Sequence, residues 1–191
     1  VNRFDVGGVV LSRDGGPPAW QAGHEVRMGT ERAVADFDGD GRVEVAIGRM
    51  YGESADAPGD LRVLQEDGTV EVVPTLRGVR ALGAGDLDGD GRAELLFGDG
   101  WHKNYGKIAR YRPSVGRRGA DGTWAVELLE ERADQYAVEQ IGADGGRLVV
   151  GGNRWVTVYE RGAAGWTALG SPVETSVHGT WARLREGVYA V

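Results

Sequence analysis

The 191 residues carry 22 basic against 29 acidic side chains, a formal net charge of −7, and no cysteine, which leaves no disulfide framework to organise the chain. No basic stripe offsets the acidic segments, so nucleic acid is excluded as the expected partner, and no apolar run approaches the roughly 20 residues of a membrane-spanning helix. The 33 glycines and only 6 prolines point to a turn-rich β protein long enough to bury a substantial core.

In chain order, residues 6–12 and 24–28 read as two short strands. The next segment is the most informative. Strands at 32–37 and 43–48 flank Asp36-Phe37-Asp38-Gly39-Asp40-Gly41-Arg42-Val43-Glu44, and strands at 61–65 and 69–73 follow, the last pair separated by the turn Glu66-Asp67-Gly68. A second unit repeats the plan, with strands at 80–87, 93–98, 107–112 and 123–129. Its loop Asp86-Leu87-Asp88-Gly89-Asp90-Gly91-Arg92-Ala93-Glu94 matches the first at seven of nine positions and begins fifty residues later. A third unit places strands at 137–142, 147–151, 156–160 and 165–169. Its turn Ala143-Asp144-Gly145-Gly146 keeps one carboxylate, and no metal is expected there. Strands at 177–184 and 187–191 complete the chain.

Each nine-residue loop alternates three aspartates with other residues, so an extended turn aims three carboxylates at one point. Held so close they repel one another, unless a hard cation such as Ca²⁺, which takes six to eight oxygens, sits among them. Asp-Gly alone is a strong hairpin signal, but turn chemistry does not ask for three alternating aspartates twice. The expected ligands are Asp36, Asp38, Asp40 and Glu44 with the Arg42 carbonyl, and Asp86, Asp88, Asp90 and Glu94 with the Arg92 carbonyl, giving two Ca²⁺ sites. Gly39, Gly41, Gly89 and Gly91 supply the positive φ such a turn needs. An EF-hand is excluded, because its twelfth position requires a bidentate Glu and here holds Ile47 and Phe97.

Four antiparallel strands recurring every 40–50 residues predict an all-β fold, a β-propeller of four-stranded blades with calcium loops between the first and second strands of two of them. The chain reads as one propeller domain over residues 1–191. Its blades are 32–77, 79–130, 136–170, and a fourth formed by joining 177–191 to 4–28, which closes the ring at about four blades. The start at Val1, without an initiator Met, fits a mature or trimmed product. Calcium loops of the weak extracellular kind place the protein outside the cell or on its surface.

At this point the chain resembles a known family. Residues 34–42 and 84–92 look like the FG-GAP or VCBS-type repeat of integrin-α-like propellers. The resemblance implies a propeller with calcium in the hairpin between the first two strands of a blade, in secreted or surface proteins that serve adhesion, carbohydrate binding or an accessory role. Two features depart from the family: its closing ligand is commonly Asp where Glu44 and Glu94 stand, and its propellers commonly have seven blades.

No catalytic constellation stands out. The three histidines, His24, His102 and His178, fall in different units, and no nucleophile elbow or phosphate-binding glycine loop is present. The connections between second and third strands, on the face opposite the acidic hairpins, are richer in aromatics. Tyr51, Trp101, His102, Tyr105, Arg154 and Trp155 suit recognition of a carbohydrate or an extracellular protein, because flat rings and polar donors address one ligand together. Packing between blades is the competing role for such rings, and is the one expected for Trp20, Trp124, Trp166 and Trp181. The rival function is a propeller lyase or hydrolase with a central pocket lined by His102, Arg49 and Arg154; a third reading is an accessory piece of a larger propeller.

Overall fold

The computed structural model describes residues 10–11, 20–21, 30–49, 61–76, 78–101, 111–132, 138–152, 155–170 and 173–174. All regular structure among them is β-strand. A first sheet runs β3 (Thr30–Ala35), β4 (Glu44–Arg49), β5 (Leu61–Leu64) and β6 (Val70–Val73), each antiparallel to the one before. A second repeats that meander with β7 (Gly78–Gly85), β8 (Glu94–Trp101), β9 (Pro113–Arg118) and β10 (Trp124–Leu128). A third uses β11 (Val138–Asp144), β12 (Arg147–Gly152), β13 (Trp155–Gly162) and β14 (Gly165–Ala168), and β15 (Val173–Glu174) adds to the open edge of β13 beyond the reach of β14. Near the start, β1 (Val10–Leu11) and β2 (Trp20–Gln21) pair antiparallel.

The three four-stranded units fall where the repeat places them. One strand does not. The third strand of the second unit was expected at 107–112, but β9 begins at Pro113. Proline is tolerated at the first residue of a strand, where the missing N–H costs least, and the Pro113 carbonyl accepts the Leu129 amide at 2.9 Å. Residues 102–110 lie outside the described residues, as do those assigned to strands at 24–28, 177–184 and 187–191. β1 falls inside the strand expected at 6–12, and its partner is β2 at 20–21. A closed ring is not defined by these residues.

Apolar side chains bury themselves between sheets rather than within one. The strands alternate with period two, so each sheet offers two apolar faces. One core contains Phe37, Leu61, Val63 and Val73 of the first unit against Val79, Leu95, Phe97 and Trp124 of the second. Another sets Ala81, Leu87, Leu96, Tyr111 and Val115 of the second unit against Val138, Leu148, Val150 and Tyr159 of the third. Leu95 and Leu96, neighbours on β8, thus serve opposite cores. A register irregularity in β7 between Val79 and Leu82 lets Val79 and Ala81 also face opposite ways. β7 packs against β3 on one side and β11 on the other, which sets the first strands of all three units side by side. Their tips, 36–43, 86–93 and 145–146, therefore crowd one end of the molecule.

Candidate metal centre

The sequence repeat is a geometric repeat. The Asp36 carboxylate accepts the amides of Gly39 at 2.6 Å and Gly41 at 2.8 Å; Asp86 accepts those of Gly89 at 2.7 Å and Gly91 at 3.0 Å. Asp40 and Asp90 each accept the amide two residues on, from Arg42 and Arg92, at 2.8 Å. The closing glutamates enter the strands as the first residues of β4 and β8, and each reaches back to the second residue of its loop: Phe37 N donates to Glu44 Oε2 and Leu87 N to Glu94 Oε2, both at 2.7 Å. The four glycines expected to adopt positive φ do so, at 80°, 84°, 77° and 87°.

These bonds turn the carboxylates inward. Asp36, Asp38, Asp40 and Glu44 each place an oxygen within 4.8 Å of the others; in the second loop Asp86, Asp88 and Glu94 do the same, and Asp90 stays outside that group. Burial pushes the Glu44 carboxyl up, the Phe37 amide opposes it, and Asp38, Asp36 and Asp40 push it further, to about 7. Burial likewise raises Glu94 against the Leu87 amide, while Asp88 raises it and Arg117 lowers it. Asp86 is held below the usual carboxylate range by the Gly91 amide first, then Gly89. A buried acid crowded by like charges is a ligand set whose charge asks for a cation. An all-oxygen, carboxylate-rich donor set of this kind fits Ca²⁺. A cavity of about 480 Å³ beside the first loop, lined by Asp38, Glu44, Gln65, Thr69, Glu71 and Arg118 among others, leaves room for an ion with its waters.

The loops are wedged against their neighbours. Phe37, 1 % exposed, meets the Trp124 ring edge-on at 5.7 Å. Ala93 N, at the end of the second loop, donates to the Asp36 carbonyl at 2.7 Å, and a Cβ on Gly39 would touch the Arg92 side chain at 3.0 Å. Sequence reading missed the arginines that reach each loop from the next unit. Arg118 Nη1 lies 3.9 Å from Asp38 Oδ2, and Arg161 Nη1 lies 3.3 Å from the corresponding oxygen of Asp88. Arg118 also holds Glu71 through three hydrogen bonds of 2.6–3.0 Å, and Trp124 Nε1 donates to the same carboxylate at 2.7 Å. The signal was present: Arg118-Gly119-Ala120 leads to Trp124 as Arg161-Gly162-Ala163 leads to Trp166, and each Arg pairs across its hairpin with that Trp.

The aromatic face is only partly in view. Tyr51, His102, Tyr105 and Arg154 lie outside the described residues, and so does any contact they make. Trp101 and Trp155 stand on strands rather than on loops, closing β8 and opening β13, at the strand ends remote from the acidic hairpins. Trp155 is half-buried. Of the tryptophans expected to pack between units, Trp124 does so and Trp166 lies against the second core; for Trp20 and Trp181 the packing falls outside what is described. Asp99, a buried carboxylate away from the loops, is occupied in structure: both its oxygens accept the Leu76 amide, at 2.9 and 3.0 Å, and tie down the link between first and second units.

Compared with known protein families, residues 36–97 match the FG-GAP-like repeat, a stretch that holds both acidic loops and the strands between them. Among curated proteins none matches the chain.

Proposed function

We propose that this chain is a calcium-stabilised β-propeller module of a secreted or cell-surface protein, and that its blades present a binding or adhesion surface rather than a catalytic centre. The observation that supports it most is the repetition of one costly arrangement. Two loops fifty residues apart gather carboxylates with the same amide hydrogen bonds, and such groups repel unless a hard cation lies among them. Asp36, Asp38, Asp40 and Glu44 would hold one ion; Asp86, Asp88 and Glu94 would hold the other, joined by Asp90 and by the Arg42 and Arg92 carbonyls in their respective loops. The ion supplies charge neutralisation and ties two strands of a blade together. Four blades close the ring through the joined ends of the chain. A carbohydrate or an extracellular protein binds at the far strand ends, on the face of Tyr51, Trp101, His102, Tyr105, Arg154 and Trp155.

Thermal melting in calcium and in chelator tests this reading together with a glycan and peptide array. An ion present at a hundred times its Kd stabilises by about 2.7 kcal/mol per site, about 5–10 °C for a chain of this length. Asp38→Ala and Asp88→Ala should each abolish one bound ion. Trp101→Ala should abolish array binding while leaving the melting temperature in place. An unchanged melting temperature in excess chelator rules the proposal out.

A further inference from the structure

We propose that the two acidic loops are unequal cation sites, because Arg117 serves as a resident counter-cation for Glu94 while no arginine among the described residues pairs with Glu44. The inference rests on the calcium reading and concerns which loop fills first. Both loops share their glycines, their closing Glu and their amide hydrogen bonds except one, the Asp40 amide to Asp38 Oδ1 at 3.1 Å, and the larger difference comes from across the sheet. One step beyond the pair Val45↔Leu64, Gln65 stands opposite Glu44; one step beyond Leu95↔Gly116, Arg117 stands opposite Glu94. The cross-strand neighbour is a neutral, buried carboxamide in one loop and a guanidinium in the other.

Arg117 Nε lies 3.2 Å from Glu94 Oε1, and its Nη1 is anchored 3.1 Å from Glu127 Oε2. Two further differences act in the same direction. Arg161 comes within 3.3 Å of Asp88, whereas Arg118 stands 3.9 Å from Asp38 with its charge already answered by Glu71 at 2.6 Å. The first loop gathers four carboxylates and the second three. Until Asp90 joins it, the second loop thus gathers less negative charge for an incoming dication, and it sets two guanidinium groups against that ion. Calcium affinity in oxygen-ligand loops follows the ligand charge count. The first loop should therefore load at lower calcium, while the second is held in shape by arginine when calcium is scarce.

Calorimetric titration of the full chain with CaCl₂ tests this. We expect two classes of site separated by about tenfold or more, the scale of one nearby unit charge acting on a dication. Asp38→Asn should remove the tighter class and Asp88→Asn the weaker. Arg117→Gln should tighten the weaker class about tenfold and leave the other unchanged; Gln65→Arg should weaken the tighter class, and Arg117→Gln carries the test alone should that variant fail to fold. Equal classes in the parent chain, or an Arg117→Gln variant with both affinities unchanged, overturns the inference while calcium binding stands. Absence of saturable heat in every variant overturns the calcium reading itself, and this inference with it.

Discussion

Glu44 is the residue at which loop charge and apolar core meet. It is 2 % exposed, donates nothing while charged, and sits among three aspartates, so in the metal-free protein its carboxyl rises from an ordinary 4.5 to about 7. Between those two values the folded chain holds a proton that the unfolded chain has released. The stability this contributes is fully present below pH 4.5 and is lost as pH rises through 7. Calcium inverts the preference, because it binds the charged form. In chelator, the unfolding free energy of the parent chain relative to Glu44→Gln, read from denaturant melts, should fall between pH 5 and 8 by on the order of 1–3 kcal/mol, and in excess calcium that relative fall should vanish. A pH profile identical in the two proteins under chelation would show that Glu44 is not the titrating group. Glu71 has the opposite sign. Burial pushes it up, but Arg118 and Trp124 outweigh burial and hold it below the usual range, so its contribution is lost only as pH falls.

At the scale of elements, glycines in the strands and in the loops act for different reasons, and substitution separates them. Gly98 lies on β8 where a Cβ would stand 2.5 Å from Val138 Cβ, and Gly85 on β7 where one would stand 2.6 Å from Ala143 Cβ, so these positions set how closely the second and third sheets approach. Gly91 has open space around it but φ of 87°. Gly98→Ala should destabilise by overpacking, roughly 1–3 kcal/mol, with no change in calcium affinity. Gly91→Ala should cost about 1 kcal/mol and weaken calcium binding at the second loop alone. Denaturant melts and calcium titrations of both variants distinguish the two; a calcium defect in Gly98→Ala would contradict the assignment.

The same contrast marks what the sequence made legible. Hairpins built on Asp-x-Asp-Gly-Asp-Gly and on alternating apolar residues announced β3, β4, β7, β8 and the third sheet, because a turn and a period are local properties. β9 stayed hidden because Pro113, Gly116 and two consecutive arginines disguise a strand whose identity comes from burial between two sheets. The loop carboxylates were legible for the local reason. Arg117, Arg118 and Arg161 were missed, since each reaches its loop through a neighbour 23 to 80 positions away in the chain, and the shared Arg-Gly-Ala pattern does not by itself name that neighbour.

For the whole molecule, the acidic loops sit where one sheet meets the next, so cation binding and sheet docking share their parts. Glu44 fixes the Phe37 amide, Phe37 packs edge-on against Trp124 of the second sheet, and the Asp36 carbonyl accepts Ala93 N across the junction. Each link passes through a residue beside a carboxylate that calcium would hold. The β12–β13 ladder, by contrast, is joined by backbone pairs from Arg147↔Glu160 to Gly151↔Val156 and has no loop ligand in it. Local opening follows the least supported contacts. Chelation should therefore speed hydrogen exchange at the amides of Phe37 and Ala93 first, at Leu87 less because Arg117 still holds its acceptor Glu94, and at all three before Leu148 to Val150. Asp38→Ala in calcium should reproduce the change at Phe37 and Ala93 while leaving Leu87 protected by the second loop. If chelation instead released all of these amides at one rate, the three sheets would unfold as a single cooperative unit, and the loops would be buttresses of the entire fold rather than clamps on its individual junctions.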